Sequence, residues 1–145
     1  RLRKQFSQQF LLEREQSPPS LDQGWWTKKV QDLEKKYGES ELVVENNLSA
    51  RMLNQLYAMP IEASEGYRRK ADIEGSLYCN TLLTVLFPES PRLWIRRAED
   101  LALLQRPDEM ISTLEKAKTL GYSDAVSIRN NRFFDAYRER PDFPF

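Results

Sequence analysis

The chain of 145 residues contains no histidine, one cysteine and only five glycines. The missing histidine removes the commonest general base, the commonest zinc ligand and the usual physiological pH switch together. A single cysteine, Cys79, cannot form an internal disulfide, and at an apolar position it reads as a small buried hydrophobe. So little glycine argues for long helices over a turn-rich sheet protein. There is no charge of one sign to exploit either: 22 basic residues balance 22 acidic ones. Phosphate neutralisation drives nucleic-acid binding, so a neutral chain is expected to take no nucleic acid as partner. No run of 18 apolar residues occurs, which leaves no candidate membrane-spanning segment. Phosphate-binding glycine loops, nucleophile elbows and metal-ligand spacings are absent as well. No catalytic residue, metal or cofactor is therefore expected, and the chain reads as non-enzymatic.

What remains is a globular composition, with 40% hydrophobic and 30% charged residues. Its periodicity is helical. Leu2, Phe6 and Phe10 form one stripe of a helix over about residues 1–14, and Ser17-Pro18-Pro19-Ser20 breaks it. Asp22 suits the N-cap of a second helix, whose face is Trp26, Val30, Leu33 and Tyr37, with Gly38 at its end. A third helix is predicted from Ser40, through Leu42, Val43, Leu48, Met52, Leu53 and Leu56, to a stop at Pro60. Residues 64–75 are charged, with Gly66 and Gly75 at the edges. The nearly all-apolar stretch 77–87 reads as a central helix buried on most sides, since a lone strand would have nothing to pair with. Helices over about 90–105 and 107–119 follow, Pro107 fitting a first turn and Gly121 an end. Short helices at about 124–130 and 131–138 complete an all-α fold of antiparallel helical hairpins in a single domain, 1–145.

The stretch from Trp94 to Leu120 resembles a tetratricopeptide repeat, a 34-residue pair of helices with large and small residues at set positions. Trp94 takes the first large position, Ala98 the small one and Leu101 the next large one. Leu114 and Ala117 take the large and small positions of the second helix. The small residues let two backbones approach while the large ones fill the groove around them. Arg97 stands where leucine is usual, Gln105 replaces the turn glycine, and Met110 replaces a small residue. Leu120-Gly121-Tyr122, the segment Asn131 to Arg138 and Arg140-Pro141-Asp142-Phe143 resemble the terminal segment that closes bacterial arrays of this kind. Phe134, Tyr137 and Phe143 would be its anchors. Residues 57–90 would be the preceding repeat. Residues 1–56 show no repeat that aligns and are N-terminal helices of unassigned type.

The resemblance implies a concave groove lined by the first helix of each repeat, faced by Arg92, Arg96, Glu99 and Leu103. Charge reversal at Arg96 and Glu99 is expected to weaken a partner while sparing helicity. The function expected is a protein–protein interaction module, a scaffold or adaptor binding another protein or peptide as part of a larger bacterial protein. The alternative is a dedicated regulator or inhibitor of one protein, anchored through Trp25 and Trp26, because aromatics dominate binding hot spots. Arg1-Leu2-Arg3-Lys4 fits either the residues after a membrane anchor or an ordinary charged helix start. The carboxylates are expected on outer helix faces.

Overall fold

The computed structural model describes residues 2–37 and 43–145. Among them there are seven α-helices, a 3₁₀ turn and no strand. The helices are α1 (Leu2–Arg14), α2 (Gln23–Tyr37), α3 (Val43–Arg69), α4 (Ile73–Leu86), α5 (Pro91–Leu103), α6 (Pro107–Thr119) and α7 (Ala125–Arg129), followed by the 3₁₀ turn Arg132–Phe134. Gly38 and Ser40, expected at a helix end and a helix start, lie outside the described residues. The 131–138 segment is this short 3₁₀ turn and a run of turns rather than a helix.

Helices α1/α2, α3/α4 and α5/α6 form successive hairpins. In the first, Lys29 Nζ reaches Gln5 Oε1 at 3.4 Å, while Glu13 bonds the amide of Asp22, so the two helices run oppositely. Asp22 caps α2 as expected, its Oδ1 accepting from the Trp25 amide at 3.0 Å. The α3/α4 and α5/α6 turns share one construction. Ala71 (φ 58°) and Gln105 (φ 57°) adopt the left-handed conformation that ends a helix. The next amide then reaches back six residues inclusive: Asp72 to the Tyr67 carbonyl at 2.8 Å, Arg106 to that of Leu101 at 3.0 Å. Gly121 (φ 101°) closes α6 with the same pattern.

The expected stop at Pro60 does not occur: α3 runs through it. Proline withholds one N–H from the helical ladder. Leu56, Pro60 and Ser64, one turn apart, are all buried, so packing on both sides of the proline outweighs the missing bond. Gly66 accordingly lies inside α3, and Gly75 in the first turn of α4. A Cβ on Gly75 would stand 2.6 Å from the Tyr67 ring, so this glycine is what lets α4 start against α3. The apolar stretch 77–87 is helical as predicted, with Cys79, Leu82 and Leu83 fully buried.

Two apolar cores result. One gathers Phe6, Phe10, Trp26, Leu33, Leu56, Tyr78, Cys79 and Leu82 from α1 to α4. The other gathers Ala98, Leu101, Met110, Leu114, Ala117 and Ile128 from α5 to α7, together with Phe134 and Phe143. Tyr137 packs on the rim of the second core, so the three predicted C-terminal anchors all join the core built from α5 to α7.

Candidate partner-binding face

Helices α1, α3 and α5 lie side by side and run in the same direction. Arg3, Phe6 and Ser7 of α1 share a cavity with α3 residues 52–62, and Leu11, Arg14 and Glu15 share a second with residues 63–70. Likewise Ser64 of α3 meets Arg96 of α5, and Arg68 meets Asp100 one turn further on. The first helices of the three hairpins thus make one face of the molecule.

Between α3, α4 and α5 that face is sealed by a buried polar seam. Asp100 is wholly buried. Its Oδ1 accepts from Arg68 Nε at 2.9 Å, and its Oδ2 from Ser76 Oγ at 2.7 Å and Asn80 Nδ2 at 2.6 Å. Arg68 Nη2 also donates to the Arg96 carbonyl at 3.1 Å and to Glu99 Oε1 at 3.3 Å. Its guanidinium stacks over the Phe133 ring, 5.0 Å from the centroid. Asn131 donates to the other Glu99 oxygen at 2.8 Å, tying the C-terminal turn to α5. Every carboxylate oxygen of the seam is satisfied, which is what burial demands.

The predicted face residues fare differently. Arg96 points into the seam, donating from Nε to Asn80 Oδ1 at 3.1 Å and from Nη2 to Ser64 Oγ at 2.7 Å. Glu99 is held by Arg68 and Asn131, with 14% of its side chain exposed. Charge reversal at these two positions is therefore expected to break internal contacts as well as to change the face. Arg92 is exposed, and Leu103 is 45% exposed. Trp26 is fully buried, so in this conformation it has no surface to give a partner; its Nε1 donates to Glu13 Oε1 at 2.8 Å. Trp25 is half-buried, edge-on to Trp26, with Lys29 over its ring at 5.6 Å.

Glu13 is a second residue that sequence periodicity passed over. Only 2% exposed, it accepts from Trp26, from the Tyr78 hydroxyl at 2.8 Å, from Gln9 at 2.7 Å and from the Asp22 amide at 2.9 Å. Glu13 and Asp100 correct the expectation that carboxylates sit only on outer faces. A signal was present: Glu13 continues the Phe6–Phe10 stripe three residues on, and Asp100 stands seven residues from buried Leu93. Burial raises the pKa of Tyr78, and its bond to the Glu13 carboxylate raises it further. Burial likewise pushes the Cys79 thiol up to about 12.

The arginine at the usual leucine position is half-buried. Arg97 Nη1 donates to Thr84 at 3.2 Å, its guanidinium lies 5.3 Å from the Trp94 ring centroid, and its Nε has no partner. Desolvation lowers its pKa. Trp94 itself is partly buried and donates to the Pro88 carbonyl at 2.9 Å.

Among the described residues no group of three or more cysteine, aspartate or glutamate side chains could hold a metal ion, and no helix is long and apolar enough to cross a membrane. Comparison with protein-family models, with curated proteins and with solved structures returned no match.

Proposed function

We propose that this chain is a protein–protein interaction module built from tetratricopeptide-like hairpins, and that it binds a partner protein or peptide on the face made by α1, α3 and α5. The observation that carries the reading is the pair of open, partly apolar cavities that make a channel between α1 and α3, flanked by buried carboxylates that are already engaged. Glu13 and Asp100 hold four and three donors at hydrogen-bond distance, an arrangement suited to clamping helices together.

The repeat character is supported by register. The left-handed residues Ala71 and Gln105 stand 34 residues apart, the length of the tetratricopeptide unit. On that spacing Ser64 corresponds to Ala98, and both are fully buried small residues. Tyr67 corresponds to Leu101, and Ser76 to Met110. The C-terminal Phe134 and Phe143 cover the last hairpin, as a terminal cap must.

Affinity capture with residues 1–145 as bait, read by mass spectrometry, tests the module. Several members of one assembly, held weakly, support a scaffold. A single protein retained at high salt supports the dedicated regulator. Failure to enrich anything above a tag-only control would overturn the interaction reading.

A further inference from the structure

Resting on that reading, we infer that the channel between α1 and α3 is a two-point site for an amphipathic partner helix carrying an apolar anchor and an acidic residue about two turns apart. At one end lies a cavity of about 340 Å³ with Phe6, Met52, Leu56 and Met59 in its wall. Methionines adapt to the shape of an incoming side chain, so this end suits an apolar anchor. Its charges, Arg3 and Glu62, offset each other. At the other end lies a cavity of about 360 Å³ bounded by Leu11 and Tyr67, with Arg14, Lys70 and Glu15 at its edge. This end is positive by one charge, and among the described residues no ion pair engages Arg14 or Lys70.

The ends are separated by eight residues on α1, from Phe6 to Arg14, and by eight on α3, from Met59 to Tyr67. Eight helical residues span about 12 Å. On an occupant helix the same span places the two recognised residues seven or eight positions apart. A helix is the occupant the channel favours because it satisfies its own backbone. An extended peptide would bring a ladder of N–H and C=O groups that no strand edge among the described residues can pair. Apolar content and the positive end then select for an amphipathic, acidic helix over a basic one.

The test is selection from a displayed library of helix-forming peptides, followed by titration of the enriched peptide against variants. Ala58, exposed at the first cavity, is replaced in Ala58→Trp to fill it, and Lys70, exposed at the end of α3, in Lys70→Glu. Circular dichroism and the urea midpoint check that both fold; Lys70→Glu, at an exposed helix end, keeps the test available if Ala58→Trp does not. The enriched peptides are expected to pair an apolar residue with Asp or Glu seven or eight positions away. Each variant weakens binding by about tenfold, and changing the peptide's acid to lysine restores binding to Lys70→Glu. Enriched peptides that lack this spacing, or whose amide shift changes map to Arg92 and Leu103 instead, overturn the two-point site while leaving an interaction module standing. No enrichment at all also overturns it, and the affinity capture then decides the broader reading on its own.

Discussion

Gln105 carries a cost that can be removed. Its φ of 57° lies where a side chain strains the backbone and glycine does not. It is exposed, and its amide bonds the Ala102 carbonyl at 3.0 Å through the main chain alone. Gln105→Gly is therefore expected to stabilise the fold by roughly 0.5–1 kcal/mol, seen as a higher urea midpoint at unchanged slope. Glu13 is the opposite case. Glu13→Gln keeps the shape but replaces one accepting oxygen by an NH₂ that must face donors. The expected loss is about 2–4 kcal/mol, and a midpoint within error of the parent would show that the four short contacts to Glu13 contribute little. Neither role follows from periodicity alone. Apolar spacing marks a face by its hydrophobes, so a carboxylate on the stripe reads as an interruption until its donors, which come from α2 and α4, are brought to it by tertiary packing. The need for a left-handed residue at 105 was legible only through the glycine that the repeat pattern prefers there.

At the scale of helices, α5 and α6 were readable to within two residues, because prolines and a glycine punctuate them, whereas α4 was readable at its end but not at its start, Ile73, which fell in the stretch read as charged. The boundary at 60 was not readable, since proline's local penalty is set against the burial of Leu56, Pro60 and Ser64, which only the folded chain supplies. The seam joining α3, α4 and α5 was equally hidden: Ser64, Ser76 and Asn80 look like polar residues at element edges or within an apolar run. Together they make the α3–α5 interface a polar lock between two apolar cores. The lock is expected to act as a unit. Arg68→Met and Asp100→Leu should each destabilise, Asp100→Leu by about 3–5 kcal/mol because it leaves Arg68, Ser76 and Asn80 without their shared acceptor. The double variant should cost less than the sum by at least about 1 kcal/mol, as removing both charges leaves neither unpaired. Additive losses in chemical denaturation would mean that the two side chains act independently, and that the seam is a set of separate contacts.

Across the whole molecule, the sequence pattern conveyed successive antiparallel hairpins with aromatic anchors at the C-terminus, and the repeat resemblance implied a face of first helices, but not that α1 joins it or that pairings such as Ser64 with Arg96 seal it. The same depth of burial that hides α4 makes the fold sensitive to alkali. Tyr78 and Cys79 lie next to each other on α4, in the first core. Each is held above its ordinary pKa, Cys79 by burial and Tyr78 by burial and the Glu13 carboxylate beside its hydroxyl. An unfolded chain releases the thiol proton near 9.0, whereas the fold keeps it to about 12. Stability from this group is complete below pH 9 and drains away as pH rises towards 12, by about 1.4 kcal/mol per pH unit and on the order of 2–3 kcal/mol by pH 11. Tyr78 acts in the same sense, beginning near its ordinary value of 10.0. Urea midpoints should therefore hold from pH 7 to 8.5 and fall steeply above pH 9. Cys79→Ala should lower the midpoint at neutral pH through the lost packing yet flatten its decline between pH 9 and 10. In the parent protein at pH 8, a thiol reagent should react with Cys79 only as fast as the core opens. A parent midpoint that stays level to pH 10.5, or immediate modification of Cys79, would mean that α4 is far more accessible to water than its packing requires.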